Sequence, residues 1–353
     1  MNCLYSEELR KHKKAERKLE SYKRRYNQRI KLLLLGTYGS GKSTFIRQMH
    51  VFYGKTYTTY DRKRYIGTIY HNIFSAMKIL ITAMQRLQIP FETQQNALTN
   101  SMLIKYVDLN NKLNLNEAYV TALKELWADS GIQECYLRRR EYALLDSTKY
   151  FFTHLDRIAN SYYVPNDEDL LRVREPSKAI EDYSFKYRKV EFQITDVGFK
   201  LSEHKKWLHY FDNVTAIIFL VAISEYDQFS YGDNNKKVNC LRESLGLLKA
   251  ITQYEYFSDI SIIFVFNKND LFEEKIMQSH LKDYFPEYKG LLYDPMAARS
   301  FILDMFLKHV SPQRRIYHYF TNSTDLNSEN IVYIFTAVRD TILNLNLHNF
   351  NLV

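Results

Sequence analysis

The sequence predicts an α/β fold with a parallel-rich sheet, an all-helical domain inserted after the first strand, and an amphipathic helix at the N-terminus. Three observations lead to this prediction. Short apolar runs alternate with helical segments in the C-terminal half, which is typical of a parallel sheet. Residues 55 to about 170 show only helical periodicity. The first 30 residues carry an apolar stripe among basic side chains.

The individual elements follow from the apolar pattern in chain order. Residues 32–35 are four consecutive leucines, which predict a buried strand, and a helix is predicted to follow from about 42 to 51. In the insert, Ile73, Met77 and Leu80 recur at helical spacing. Beyond about residue 183, strands are predicted at 190–196, 216–221, 260–266 and 316–320, and helices at 241–251 and 329–345.

These elements divide the chain into three parts. Residues 1–30 form an N-terminal basic amphipathic helix, and residues 55–172 form the inserted helical domain. Residues 31–54 and 173–353 together form the sheet domain, because the insert separates the first strand from the later ones.

The composition is ordinary for a soluble globular protein, with 46% hydrophobic and 25% charged residues in a chain of 353. No apolar run is long enough to cross a bilayer, and no signal-peptide pattern is present. The three cysteines, Cys3, Cys135 and Cys240, are too few and too scattered for a disulfide framework. We therefore interpret the chain as an intracellular protein.

The net charge of +9 is concentrated at the N-terminus, where residues 1–31 hold eleven Lys/Arg against four Asp/Glu. Nucleic-acid binding is disfavoured, because the charge lies on one terminal segment rather than across a folded face. Within that segment Ala15, Leu19, Tyr22 and Tyr26 recur at helical spacing. The pattern fits a solvated charged helix, and it equally fits a helix that binds a partner or a membrane surface.

A phosphate-binding motif follows the first predicted strand. Residues 36–43, GTYGSGKS, match G-x-x-x-x-G-K-[ST] between a strand and a helix. Glycines let backbone N–H groups turn toward phosphate oxygens, Lys42 reaches the β- and γ-phosphates, and the Ser43 hydroxyl can ligate Mg²⁺. The N-terminus of the following helix adds a positive dipole at the same place.

A second motif, Asn267-Lys268-Asn269-Asp270, follows the predicted strand 260–266. At the carboxyl end of a parallel strand, the Asp270 carboxylate can accept hydrogen bonds from guanine N1–H and the 2-amino group. Adenine lacks this pair of donors. The motif therefore favours guanine, and it disfavours a phosphate-loop kinase, in which it would have no purpose.

Two weaker motifs complete the set. Asp196 ends the strand 190–196 and supplies a carboxylate for Mg²⁺, which needs few protein ligands because phosphate and water oxygens complete its octahedron. Residues 321–324, TNST, stand after the strand 316–320, where a second loop can contact the base.

These residues resemble the α subunit of heterotrimeric G proteins, and the resemblance covers nearly the whole chain. Besides the nucleotide loops it includes residues 31–36, 205–207, 214–219, 270–276 and 319–347. It implies a Ras-like GTPase domain whose helical insert closes over GDP or GTP. It also implies a βγ dimer, a heptahelical receptor and an effector as partners, and peripheral attachment to the cytoplasmic face of the plasma membrane with a cytosolic pool.

The same resemblance assigns roles to single residues. Arg174 takes the place of an arginine that stabilises charge on the transferring γ-phosphate, and Ser177 takes the place of a threonine that ligates Mg²⁺. Asp146 and Ser147 lie where the helical domain reaches the nucleotide. The motifs and the resemblance together assign the nucleotide to Gly36, Gly39, Ser40, Gly41, Lys42, Ser43, Thr44, Asp146, Ser147, Leu171, Arg172, Gly198, Asn267, Lys268, Asp270, Ser323 and Thr324, and the metal to Ser43, Ser177 and Asp196.

The chain departs from the family pattern in residues that carry the chemistry. Tyr38 replaces a glycine in the phosphate loop, and Gly39 replaces a glutamate that would pair with the arginine at 174, so that ion pair is lost. Phe199 replaces the second glycine of the family's D-V-G-G-Q, and Lys200 replaces its glutamine. A lysine donates hydrogen bonds but cannot accept them, so it cannot orient an attacking water as the glutamine does.

The N-terminus also differs, since Asn2 stands where many members have the glycine that is myristoylated. Cys3 is a candidate for palmitoylation, and the basic helix adds attraction to anionic lipid.

Two hypotheses for the function remain open. In the first, the chain is a divergent G-protein α subunit that binds GTP, signals and hydrolyses GTP slowly. In the second, it is an interaction protein of the same fold that binds nucleotide and a βγ dimer but does not cycle. Phe199 and Lys200 favour the second, whereas the intact Lys42, Ser43 and Asp270 favour at least nucleotide binding.

Overall fold

A computed structural model describes residues 29–54, 57–111, 113–175, 180–187, 190–198, 214–231, 237–326, 333–334, 336–338 and 340–341. The fold is mixed α/β, with a six-stranded sheet in the order β2-β3-β1-β4-β7-β8 and a separate two-stranded hairpin. The sheet strands are β1 (Ile30–Gly36), β2 (Glu181–Tyr187), β3 (Val190–Asp196), β4 (Val214–Ala222), β7 (Ser261–Asn267) and β8 (Ile316–Thr321), and the hairpin strands are β5 (Phe229–Tyr231) and β6 (Lys237–Asn239).

The α-helices form two groups in the chain. The insert between β1 and β2 contains α2 (Thr59–Arg64), α3 (Ile66–Leu87), α4 (Ser101–Lys105), α5 (Glu117–Ala128), α6 (Ser130–Leu137), α7 (Thr148–Thr153), α8 (Leu155–Ile158) and α9 (Asp167–Arg172). The helices connecting the strands are α1 (Lys42–Tyr53), α10 (Cys240–Thr252), α11 (Asn269–Ile276), α12 (Leu281–Tyr284) and α13 (Pro295–Leu307). None of the helices in the described residues is long and apolar enough to cross a membrane.

Strand β1 lies at the centre of the sheet, parallel to β3 on one side and β4 on the other. Because side chains alternate along a strand, its four leucines divide between two hydrophobic cores. Leu33 and Leu35 pack with apolar residues of α10 and α13, whereas Leu32 and Leu34 pack with Phe45 of α1. A continuous apolar run is therefore expected here, since both faces of the sheet are covered by helices.

The helical insert has a hydrophobic core of its own. Helix α3 supplies one long apolar face, including Ile73, Met77 and Leu80, all fully buried. Leu123 of α5 and Phe151 of α7 pack against it in the same cluster. This core is formed by residues 69–173 alone, which agrees with a helical insert between β1 and β2, and the domain boundaries at 54/55 and 172/173 stay a prediction.

The structure confirms the predicted strands and adds one that the sequence did not reveal. Strand β3 has the predicted bounds, and β1, β4, β7 and β8 each differ from prediction by at most two residues at either end. Strand β2 was missed; it pairs antiparallel with β3 at the sheet edge and mixes polar Glu181 and Asp182 with apolar Tyr183 and Phe185. The predicted N-terminal helix lies outside the described residues, and the last helix is described only at 333–334, 336–338 and 340–341.

A buried polar network joins three segments of the helical insert around Asp129, which is 2% exposed. Its Oδ1 accepts hydrogen bonds from the backbone N–H groups of Gly131 and Ile132, and so caps α6. Its Oδ2 accepts from the Asn96 side chain at 2.9 Å and from the Glu92 backbone at 3.0 Å. Removing the carboxylate leaves several donors unpaired in an apolar interior.

We predict that Asp129→Ala lowers the free energy of unfolding by about 2 kcal/mol, because it removes a helix cap and leaves buried donors unsatisfied. Urea denaturation followed by far-UV circular dichroism measures the change. Asp156→Ala is the matched control: the Asp156 side chain is 82% exposed, and its loss is expected to cost less than about 0.5 kcal/mol. Equal stability of the two variants would contradict the network's role.

Candidate functional site

A cleft of ≈ 880 Å³ lies at the carboxyl ends of the parallel strands, between the sheet and the helical insert. This is where ligands bind in open α/β sheets, because β1 is the point at which the strand order reverses. Of the predicted site residues, the cleft is lined by Gly39, Gly41, Lys42, Ser43, Thr44, Asp146, Ser147, Leu171, Arg172, Arg174, Asp196, Gly198, Asn267, Lys268, Asp270, Ser323 and Thr324.

Five predicted residues stand apart from this lining. Gly36 and Ser40 belong to the phosphate loop but do not line the cleft, and Ser40 is fully buried. Ser177, Lys200 and Cys3 lie outside the described residues.

The phosphate loop is shaped to accept an anion. Gly41 has φ +101°, a conformation that side chains rarely adopt, and an added Cβ would lie 2.2 Å from the Asn267 side-chain nitrogen. Helix α1 begins directly after it, and no side chain caps its first turn. The buried Ser40 hydroxyl has no hydrogen-bond partner. Free backbone donors at a helix N-terminus beside a loop of this shape fit a phosphate group.

The Lys42 ammonium lies folded across the same loop. It donates hydrogen bonds to the backbone oxygens of Gly36 at 2.7 Å and Thr37 at 3.1 Å. Burial lowers the pKa of Lys42, and the carboxylates of Asp196 and Glu225 partly oppose that shift. A buried cation whose hydrogen bonds go to carbonyl oxygens, among the described residues, is an electrostatic site for an anionic ligand.

The Asn267 side chain connects three loops at the floor of the cleft. Its Nδ2 donates to the backbone oxygen of Ser40 at 3.0 Å, in the phosphate loop. Its Oδ1 accepts from the backbone N–H and the hydroxyl of Ser323, at 3.0 and 2.9 Å. One amide therefore fixes the phosphate loop, the loop that it belongs to, and the loop after β8.

Asp270 follows Asn267 by three residues and lines the same cleft. Its backbone N–H donates to the Asn322 side-chain oxygen at 3.0 Å, which ties the two loops together a second time. Partial desolvation raises the pKa of the Asp270 carboxyl. Backbone N–H groups beside the carboxylate partly oppose that rise in pKa, and the carboxylate lines the cleft, where it can accept hydrogen bonds from a ligand.

Lys268 forms ion pairs with two carboxylates, one from the insert and one from the sheet domain. Its ammonium lies 2.7 Å from a carboxylate oxygen of Asp146 in the insert and 2.8 Å from one of Glu225 after β4. Burial alone would lower the pKa of Lys268, but the two carboxylates outweigh it and raise the pKa. Burial would likewise raise the pKa of Asp146, whereas the ammonium beside it produces a net lowering.

The segment that links the insert to the sheet is held against α1. Thr44 donates its hydroxyl hydrogen to the backbone oxygen of Leu171 at 3.1 Å. The Arg47 guanidinium donates to the backbone oxygen of Val173 at 2.6 Å and pairs with Glu175 at 2.6 Å. Ser147 in turn bonds to the backbone oxygen of Arg172, so the inner edge of the insert is fixed to the cleft wall.

Arg174 follows directly and reaches the rim of the cleft. The Asn72 side chain fixes its backbone, accepting from its N–H at 2.7 Å and donating to its carbonyl oxygen at 3.0 Å. The guanidinium carbon lies 4.4 Å from the centre of the Tyr38 ring. The structure thus supplies a different contact in place of the ion pair that Gly39 cannot make.

The donor set on the phosphate side of the cleft fits Mg²⁺. Ser43 and Asp196 offer a hydroxyl and a carboxylate, both hard oxygen ligands, and both line the cleft. Asp196 Oδ1 accepts from the Gly198 backbone N–H at 3.0 Å, which orients the carboxylate. Burial raises the pKa of Asp196, and the Lys42 ammonium partly opposes that rise.

Two residues of the site, Glu225 and Asn72, and one contact, that of Tyr38 with Arg174, were missed from the sequence. Glu225 follows the carboxyl end of a predicted strand, and that position could have revealed it. Asn72 is 6% exposed on the buried face of α3, where a polar residue among apolar ones is the signal. The contact of Tyr38 with Arg174 depends on how the insert folds back, which no local pattern encodes.

A further ion pair joins the insert to the sheet domain beside the cleft. Arg139, directly after α6, lies 3.0 Å from Glu274 of α11. The Arg139 guanidinium also lies 4.4 Å from the centre of the Tyr136 ring, which holds the arginine in position. The pair therefore connects the two walls of the cleft independently of Lys268 and Asp146.

The fold and the site define a phosphate-loop nucleotide-binding protein in which a helical domain forms one wall of the cleft. A comparison with protein families agrees: the family model described as G-protein alpha subunit matches residues 9–342. The chain belongs to the G-protein alpha subunit family and is a guanine-nucleotide-binding alpha subunit. The family implies binding of guanine nucleotide, usually with Mg²⁺, and interaction with βγ, receptors and effectors in general.

We predict that Arg139→Glu and Glu274→Arg each accelerate release of a bound fluorescent GDP about 2- to 5-fold, since each replaces an attraction across the cleft by a repulsion. The double variant restores the opposite charges and is expected to return the rate to that of the wild type. Stopped-flow release measurements test this, and high salt is expected to reduce the differences. Equal release rates in all four proteins would show that the pair does not hold the cleft closed.

Proposed function

We propose that this chain is a switching G-protein α subunit, which binds GDP or GTP with Mg²⁺ in the cleft, couples a heptahelical receptor to an effector, and hydrolyses GTP slowly. The observation that carries the proposal is the Asn267 bridge, because it brings the phosphate loop and the two base-side loops into one site. A phosphate group at one end and a guanine at the other match the chemistry of these loops.

The base end of the cleft accounts for guanine selectivity in this proposal. Asp270 offers a carboxylate to the N1–H and 2-amino donors of guanine, and charge-assisted hydrogen bonds of this kind are stronger than neutral ones. Asp146 and Glu225 fix the ammonium of Lys268, which lines the same cleft. An adenine at the same place would leave the carboxylate without a matching pair of donors.

The phosphate end combines backbone donors with charge. Residues 39–43 supply N–H groups and the Lys42 ammonium, and Ser43 and Asp196 would hold Mg²⁺. When bound, Mg²⁺ neutralises phosphate charge. Arg174 would add a further cation near the terminal phosphate, where negative charge develops during hydrolysis.

Slow hydrolysis follows from the sequence of the second switch. Lys200 stands where the family has a glutamine, and an ammonium cannot both donate to and accept from the attacking water. Its positive charge favours retention of the triphosphate. A chain that binds GTP but turns it over slowly remains longer in the triphosphate-bound state.

We propose that the N-terminal segment serves partners and membrane. Its concentration of Lys and Arg favours anionic lipid, and palmitoylation of Cys3 together with that basic segment would give the two signals that stable anchoring needs. We propose that the βγ dimer binds the predicted N-terminal helix and the second switch, and that the receptor binds the C-terminal tail. In this proposal the protein acts at the cytoplasmic face of the plasma membrane, with a cytosolic pool.

We predict that Asp270→Asn lowers the affinity for GDP by at least about 100-fold and raises that for xanthosine diphosphate. The asparagine amide offers one donor and one acceptor, which match xanthine rather than guanine. Competition against a fluorescent guanine nucleotide measures both affinities. Asn269→Ala is the matched control, because the Asn269 side chain bonds to Glu273 and Arg299 and does not line the cleft.

An unchanged preference for GDP over xanthosine diphosphate in Asp270→Asn would refute the assignment of Asp270 to the base.

We predict that Lys200→Gln raises the rate of single-turnover GTP hydrolysis by about tenfold or more, because a glutamine can orient the attacking water. Release of labelled phosphate from preloaded protein measures the rate. Lys308→Gln, at an exposed position after α13, controls for the loss of a positive charge. A rate equally fast in the wild type and in Lys200→Gln would contradict slow hydrolysis, whereas no hydrolysis in either would favour the non-cycling interaction protein.

A further inference from the structure

Tyr38 is an exposed aromatic residue in a loop that otherwise consists of small residues and a lysine. Its side chain is 57% exposed and lines the rim of the cleft. The Arg174 guanidinium lies over its ring, with the guanidinium carbon 4.4 Å from the ring centre. The ring therefore lies at the cleft and not in the hydrophobic core.

Three carboxylates of the site are paired with other cations among the described residues. Glu175, the next residue, pairs with Arg47 at 2.6 Å. Asp146 and Glu225 both lie within 2.8 Å of the Lys268 ammonium. An added side chain at Gly39 would meet Glu225, with its Cβ 2.9 Å from Glu225 Oε1. Within the part of the chain that the structure describes, the guanidinium forms no ion pair, and the face of the Tyr38 ring is a close contact that it makes.

The backbone of Arg174 is fixed independently of its side chain. Asn72 accepts from its N–H and donates to its carbonyl oxygen, so the residue cannot slide along the cleft. With the backbone anchored, the direction of the side chain depends on what the guanidinium contacts. Tyr38 thus determines where the positive charge lies.

A cation–π contact holds an arginine differently from an ion pair. A carboxylate neutralises the guanidinium and occupies its N–H donors, whereas an aromatic ring attracts the charge through its face and leaves those donors free. An arginine held over Tyr38 keeps its full charge and its hydrogen-bonding edge for an anionic ligand. The absence of an acidic side chain at position 39 and the presence of a ring at position 38 therefore have the same effect: both leave the N–H donors of Arg174 available to an anion.

We propose that Tyr38 is a positioning residue, which holds the Arg174 guanidinium at the phosphate end of the cleft and so increases the preference for guanosine triphosphate over diphosphate. This inference rests on the proposed function, in which Arg174 lies near the terminal phosphate. The ring does not contact the nucleotide in this role. It acts through Arg174, and the effect appears only with a ligand that carries the third phosphate.

The test compares Tyr38→Phe, Tyr38→Leu, Arg174→Gln and the double variant Tyr38→Leu/Arg174→Gln in the full chain with Mg²⁺. The dissociation constants of GDP and of a non-hydrolysable β,γ-imido analogue of GTP are measured for each by competition with a fluorescent nucleotide. Tyr38→Leu is expected to reduce the triphosphate-to-diphosphate preference about 2- to 5-fold, whereas Tyr38→Phe retains the ring and the preference. The double variant is expected to match Arg174→Gln alone, because the ring acts only through the arginine.

Three results would overturn the inference. The first is an unchanged preference in Tyr38→Leu, and the second is an effect of Tyr38→Leu that adds fully to that of Arg174→Gln. The third is tighter binding of both nucleotides in Tyr38→Leu, which would mean that the ring crowds the cleft. If the wild type binds neither nucleotide, the proposed function is wrong. If the wild type binds both nucleotides and one of the three results above is found, only the role of Tyr38 is wrong.

Discussion

The side-chain amide of Asn267 is the interaction on which the geometry of the cleft depends. It lies at the carboxyl end of β7, where the sheet fixes its position, and it bonds on one side to the phosphate loop and on the other to the loop after β8. Loops at the ends of strands have no regular hydrogen-bond ladder to hold them, so a single buried amide that bonds to two other loops can set their spacing. Gly41 belongs to the same constraint, because any side chain there would displace that amide.

The carboxylates that form ion pairs in the site are shared by only some of its cations among the described residues. Lys268 takes up both Asp146 and Glu225, and Arg47 takes up Glu175. Lys42 is left with backbone oxygens, and Arg174 with an aromatic face. These two cations have no ion pair within the ranges that the structure describes, which suits a polyphosphate, and the carboxylates of Asp196 and Asp270 line the same cleft.

The sequence predicts the structure well at positions where burial or backbone conformation restricts the type of residue. The leucines of β1 and the glycines of the phosphate loop indicate their own strand and turn, since burial on two faces and positive φ angles restrict those positions strongly. Strand β2 was not predicted, because an antiparallel edge strand with a solvated face tolerates polar residues that blur the alternation. The contacts of Glu225 and Tyr38 could not be read from sequence, since their partners lie more than 40 residues away and meet them only through the fold.

The pairing of Lys268 with two carboxylates has a consequence for movement of the helical insert. Asp146 belongs to the insert, whereas Glu225 belongs to the same sheet domain as the lysine. If the insert swings away, Asp146 leaves with it, but Glu225 stays within 2.8 Å of the ammonium. The lysine then never becomes an isolated buried charge, which would cost several kcal/mol. Glu225 thus remains the counterion of Lys268 when the insert moves, and this lowers the electrostatic free energy of the open arrangement.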